Sequence, residues 1–237
     1  MESLKGKKVL LIGASGGIGT RLTKLLTGSG AIVFITGRNQ DKLAAAGEQA
    51  GIPSNRQFLL DLTNETAVFD TIAAIQQDGP VDILINAAGI GIIKSMDTLT
   101  TEDFIKTLQV NLIGSFWVTK AILPAMKEAK KGLIIHIPGV LGKVPMAGAA
   151  AYSASKYGLV GMMQSIREEL KRTEIRITNL FLGGVDSPFW DTIDLRVQRD
   201  KMVVAEEAAK AIWFLCQQPA SGVVSEMVLQ PFNHQAI

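Results

Sequence analysis

The chain has 237 residues, 47% of them hydrophobic and only 6% aromatic, so one α/β domain over residues 1–237 is expected, with a core of Val, Ile, Leu and Ala. A formal charge of +2 gives no basic face for nucleic acid, and no apolar run reaches the ~18 residues of a membrane span. Cys216 is the sole cysteine, which excludes an internal disulfide and fits a reducing compartment.

A soluble, cytoplasmic protein is therefore expected. The apolar run Val9-Leu10-Leu11-Ile12 behind Lys5, Lys7 and Lys8 stops at Gly13, too short for the core of a secretory signal. Cys216 follows Trp213-Phe214-Leu215 and reads as core. His136 and His234 are far apart and belong to no ligand cluster, so no metal is expected. Lys127, Lys130 and Lys131 read as a solvated helix end.

Apolar runs alternate with helical patterns along the chain. Strands are expected at Lys8–Ile12, Ala31–Thr36, Gln57–Leu60, Ile83–Asn86, Leu133–Ile137, Arg176–Phe181 and Glu226–Gln230. Helices are expected at Ile18–Leu26, Asp41–Ala50, Ala67–Gln77, Glu102–Lys127, Tyr152–Arg172 and Glu206–Gln217. This alternation implies right-handed βαβ units, and hence a Rossmann-type, doubly wound parallel sheet of about seven strands flanked by helices. Ligands of such sheets bind beyond the carboxyl ends of the strands, where the informative motifs fall.

The first strand runs into Gly13-Ala14-Ser15-Gly16-Gly17-Ile18-Gly19, which opens a helix. Glycines let a pyrophosphate approach the backbone, and the helix end offers free N–H groups and a positive dipole. Gly13, Ser15, Gly17, Ile18 and Gly19 are the candidate contacts, against the alternative of a plain tight turn. The second strand ends in Thr36-Gly37-Arg38-Asn39. No acid stands there to hold the ribose 2′-hydroxyl of NAD, whereas Arg38 suits the 2′-phosphate of NADP. NADP (NADPH) is favoured over NAD, with an exposed turn residue as the plain alternative for Arg38. Asp41 reads as a helix N-cap.

Tyr152-Ser153-Ala154-Ser155-Lys156 places Tyr152 and Lys156 four residues apart, on one face of a helix. A free phenol titrates near 10, and a neighbouring ammonium would lower that value into a range useful for proton transfer to or from a carbonyl oxygen. Asn111 interrupts an apolar helical pattern and, if buried, needs a partner.

The spacing of Gly13, Gly17 and Gly19, the tetrad Asn86-Ala87-Ala88-Gly89 and the Tyr152–Lys156 pair together resemble the short-chain dehydrogenase/reductase family over nearly the whole chain. The resemblance implies that Tyr152, Lys156 and Asn111 are catalytic, with Lys156 also binding the nicotinamide ribose and Asn111 holding a relay water. It implies cofactor contacts at Asp61 and Leu62, at Asn86, Ala87 and Gly89, and at Gly183, Val185 and Ser187. A cap at the polar turn following the third strand is a second reading of Asp61.

The sequence departs from the family at three places. Ile12 stands where a loop-steadying threonine is usual. Leu182-Gly183 replaces Pro-Gly. Above all, Gly139 occupies the place of the catalytic serine, thirteen residues before Tyr152, with Pro138 beside it. His136, three residues earlier, points to the other face and reads as a satisfied core histidine.

Ile90, Ile92, Ile93, Val140, Leu141, Val144, Met146, Phe189, Trp190 and Ile193 are candidates for the substrate entrance, with the substrate loop around 184–203. Their apolar character suits a small hydrophobic carbonyl or alcohol. The ending Leu229-Gln230-Pro231-Phe232 disfavours an acyl-carrier-protein substrate. The family implies a homodimer or homotetramer. The reading is an NADP-dependent oxidoreductase with Tyr152 as acid/base. The alternative is a nucleotide-binding regulator or scaffold whose catalysis fell away with the serine.

Overall fold

The computed structural model describes residues 1–233; His234 lies outside them. Nine strands and seven α-helices are described: β1 (Lys8–Ile12), α1 (Gly17–Gly28), β2 (Ile32–Gly37), α2 (Gln40–Gln49), β3 (Gln57–Leu59), α3 (Glu65–Gln76), β4 (Ile83–Asn86), α4 (Thr101–Leu108), α5 (Gly114–Glu128), β5 (Lys131–His136), α6 (Ala150–Glu169), β6 (Glu174–Leu182), β7 (Val185–Asp186), β8 (Val203–Val204), α7 (Ala205–Leu215) and β9 (Glu226–Leu229). Seven strands form one parallel sheet in the order β3-β2-β1-β4-β5-β6-β9. The chain reverses its direction of travel between β1 and β4, and that switch point opens the crevice where open α/β sheets bind ligands.

Alternation within β1 explains the layering. Val9 and Leu11 enter the core shared with Leu22 and Leu26 of α1 and Ala208 and Ile212 of α7. Leu10 and Ile12 point the other way, into the core shared with Ile72 of α3, Val118 and Ile122 of α5, and Met163 of α6. Every residue of β1 is buried, and after Lys8 the strand is an unbroken apolar run, as suits a parallel strand covered on both faces.

Strands β1 and β4 keep their expected bounds, and most other ends shift by one or two residues. Strand β6 is longer than expected because it pairs with β5 from Glu174 and with β9 as far as Leu182. The single helix expected over Glu102–Lys127 is two helices joined by a π turn at Gln109–Ile113. Asp41 is not a cap: Asn39 caps α2 by accepting from the Lys42 N–H, and Asp41 sits in the first turn. Cys216 is buried and its thiol is pushed up by desolvation, as suits a core residue. No helix among the described residues is long and apolar enough to cross a membrane.

Candidate active site

Tyr152 and Lys156 lie in the first two turns of α6, held in place by Ala151, Leu159 and Met163 on the buried side of the helix. Lys156 is 4% exposed, and its Nζ donates to the Ile137 carbonyl at 3.1 Å. Burial pushes the ammonium down to about 8. Nζ stands 5.3 Å from the centre of the Tyr152 ring, over its face. Without an opposing charge at the hydroxyl, burial raises the Tyr152 phenol. That is opposite to the direction expected from the sequence: in this geometry desolvation outweighs the neighbouring ammonium.

Asn111 sits in the π turn, a local widening that places its side chain toward β4 and α6. Its Oδ1 accepts from the Ile90 N–H at 2.9 Å, and its Nδ2 donates to the Ile90 carbonyl at 2.9 Å and to Ser155 Oγ at 3.0 Å. Ser155 Oγ in turn donates to the Tyr152 carbonyl at 2.7 Å. The chain after β4 is thus tied to the start of α6. A Cβ on Gly89 would lie 3.2 Å from Asn111 Oδ1 and 3.4 Å from Lys156 Nζ, so this glycine makes room for both. Ser155 is not among the residues that the sequence motifs single out, although it stands one position before the lysine.

Gly139 follows β5 with φ 71° and ψ 169°, a region essentially confined to glycine. A serine there would be strained, so the loop is not simply the family's loop with one hydroxyl removed. His136 is fully buried, and Thr119 Oγ1 is 3.3 Å from its Nε2. The Thr119 hydroxyl spends its proton on the Ser115 carbonyl, so His136 Nε2 is the donor in this contact. Nδ1 has no partner among the described residues, which leaves the ring only half satisfied. Burial and the Lys156 charge push His136 down to about 3, so it stays neutral.

The cofactor candidates gather on the same edge of the sheet. Gly13 has φ 87°, and a Cβ there would lie 2.9 Å from the Ala88 nitrogen, so β1 and β4 approach closely only through a glycine. No side chain caps the N-terminus of α1. Ser15, Gly17 and Ser187 line an open recess of about 400 Å³ in front of that helix end. Ile18 and Gly19 lie in the first turn of α1.

Arg38 is exposed at the end of β2 and makes no hydrogen bond or ion pair with the described residues. Asp61 does not cap α3, a role taken by Asn64; its Oδ1 accepts from the backbone and hydroxyl of Thr63, and Leu62 beside it is buried. Asn86 donates to Ser115 Oγ and accepts from the Ala88 N–H, which braces the end of β4, and the Ala87 N–H donates to the Ile12 carbonyl. Gly183 lies against Pro231, and the Val185 carbonyl accepts from Trp190 Nε1.

Of the entrance candidates, Val140, Leu141 and Val144 pack into a small core with Val160 and Phe181. Phe189 reaches Tyr152 by its ring, and Ile90 reaches Asn111 by its backbone. The Phe189 ring is 6.0 Å from that of Tyr152, and its tip rests on Gly91 together with Ile193. Trp190 packs edge-on against Phe189.

A parallel sheet with a glycine loop at its switch point, and a half-buried tyrosine paired with a buried lysine beyond β5, defines a Rossmann-type oxidoreductase. The short chain dehydrogenase family model matches residues 7–197, and the chain belongs to that family of enzymes acting on CH–OH or C=O groups. An uncharacterized oxidoreductase of Staphylococcus epidermidis is 30% identical over 232 residues, covering 98% of this chain and all of that protein. A metagenomic short-chain oxidoreductase solved in complex with NADP superposes with a TM-score of 0.83 at 29% identity, over 97% of this chain and 99% of that one. Serine dehydrogenase from Escherichia coli superposes with a TM-score of 0.83 at 26% identity, over 96% of this chain and 99% of that one.

Proposed function

We propose that the protein is a cytoplasmic, NADP-dependent oxidoreductase that interconverts a small hydrophobic carbonyl compound and its alcohol. The observation that carries this reading is the Tyr152–Lys156 pair, set beside the Asn111 clamp at the carboxyl edge of the sheet. The residues present fit a dinucleotide. The α1 terminus is uncapped, Ser15 makes no hydrogen bond with the described residues, and Arg38 stands free at the end of β2. A nicotinamide cofactor bound there supplies or accepts the hydride.

Tyr152 gives its phenolic proton to the carbonyl oxygen during reduction and takes it back during oxidation. Lys156 would hold the nicotinamide ribose, and its ammonium over the Tyr152 ring opposes the desolvation that disfavours the phenolate. Asn111 keeps the Ile90 segment and α6 in register, so that the proton path meets Tyr152. Arg38 takes the 2′-phosphate through its planar fork. Asp61 and Leu62, and the segment Asn86–Gly89, line the adenosine half; Gly183, Val185 and Ser187 line the nicotinamide half. The domain spans 1–237, with the substrate loop at 184–203 closing over the carbonyl by means of Phe189. Assembly as a homodimer or homotetramer through the helices bearing Phe116 and Tyr157, which are 41% and 44% exposed, belongs to the same reading.

A second reading, a nucleotide-binding regulator with lost catalysis, is favoured by one observation: Gly139 holds a backbone conformation that a catalytic serine would resist. Following NADPH consumption against a panel of aldehydes and ketones separates the two. Turnover of at least one carbonyl is expected; tight NADPH binding with no turnover across the panel would leave the regulator.

A further inference from the structure

The chain between β6 and α7 folds back on itself through one side chain. Arg199 Nη1 donates to Asp191 Oδ1 at 2.9 Å, and Nη2 donates to the Ser187 carbonyl. Arg199 Nε is buried 2.9 Å from Asp186 Oδ1, but the alignment is not that of a hydrogen bond, and this N–H has no acceptor among the described residues. Ser187 and Pro188 rest on the glycine loop: a Cβ on Gly17 would lie 2.9 Å from Ser187 Cβ and 2.8 Å from Pro188 Cδ.

The recess in front of α1 therefore has two walls. One is the loop Ser15-Gly16-Gly17 with the positive end of the helix. The other carries Asp186, Asp191 and Arg199. An anion entering this recess meets two carboxylates, each more than half exposed at the side chain. Repulsion between those carboxylates and a pyrophosphate would weaken binding unless a cation stood between them. Arg199 lines the same recess, is paired with both carboxylates, and keeps 40% of its side chain exposed.

We propose that Arg199 is a binding residue for the pyrophosphate bridge of the dinucleotide. This rests on the cofactor reading given above. Arg199 and Arg38 then divide the cofactor: Arg38 reads the 2′-phosphate and so chooses NADP, whereas Arg199 reads the part that NADP and NAD share. Because the same guanidinium holds Ser187 and Asp191, its engagement also fastens the turn that carries Phe189 over Tyr152.

The test is a titration of the purified full-length protein with NADPH, NADH and ADP-ribose, which contain the pyrophosphate, and with 2′-AMP, which does not. Arg199→Ala is expected to weaken the first three by about tenfold, the scale of one charge-assisted hydrogen bond, and to leave 2′-AMP unchanged. Arg199→Lys should recover part of the loss. Asp191→Asn removes a competing carboxylate and should bind NADPH as well as the wild type or better.

Three results would overturn the proposal. Arg199→Ala could bind every ligand as the wild type does. It could weaken 2′-AMP equally, which marks a general loss of structure. Asp191→Asn could weaken NADPH as much as Arg199→Ala, which marks Arg199 as a brace of the turn only. Failure of the cofactor reading looks different: the wild type itself would bind no dinucleotide, and the proposal would fall with it.

Discussion

Replacing Lys156 by methionine should stabilise the cofactor-free protein. The side chain is 4% exposed, and burial lowers its pKa from 10.5 to about 8. Because folding lowers the value, the folded chain carries fewer protons than the unfolded chain between about pH 8 and 10.5. Wild-type stability therefore rises with pH across that window, and the burial penalty is complete below it. At about pH 7 the penalty is roughly 3 kcal/mol, at about 1.4 kcal/mol per pKa unit. Methionine has similar length and its thioether replaces the ammonium over the Tyr152 ring, so the main loss is the hydrogen bond to the Ile137 carbonyl, worth about 1 kcal/mol. The variant should gain roughly 2 kcal/mol at about pH 7, shrinking to within about 0.5 kcal/mol by about pH 9.5. Urea unfolding followed by tryptophan fluorescence, at fixed protein concentration and ionic strength, measures both. A variant no more stable than the wild type at about pH 7, or a gain that does not change with pH, would refute the reasoning.

The remaining predictions concern the neighbouring residues. Gly139→Ser forces a side chain into φ 71°, and should cost about 1–3 kcal/mol in thermal or urea unfolding without raising kcat/KM on any carbonyl. Asn111→Ala leaves the Ile90 N–H and carbonyl and Ser155 without their partner, and should cost about 3 kcal/mol by the same assay. Arg38→Ala should weaken NADPH by about tenfold and leave NADH unchanged, as fluorescence titration of the two cofactors will show.

The sheet was legible because its strands are short apolar runs closed by glycine or a polar turn. Both β1, ending before Gly13, and β4, ending at Asn86, fall where those signals put them. The long helix was not legible in full, since the π turn around Asn111 depends on a hydrogen-bonded partner, Ile90, that is remote in sequence. Asp41 and Asn39 compete for one cap, and propensity alone does not decide between them. Sequence spacing placed Tyr152 and Lys156 on one face, yet it cannot report depth, and depth sets the direction of the Tyr152 shift. The identity of Gly139 was plain, but its backbone conformation is a property of the loop. Arg199 carried no sequence signal, because its partners Asp186 and Asp191 become neighbours only when the chain between β7 and β8 folds back.

The central claim is that Tyr152 moves the proton. It is tested most directly by Tyr152→Phe, assayed for NADPH-dependent turnover of a carbonyl substrate and, in parallel, for NADPH affinity. Turnover should be abolished while affinity stays close to that of the wild type. Wild-type turnover in the variant would contradict it.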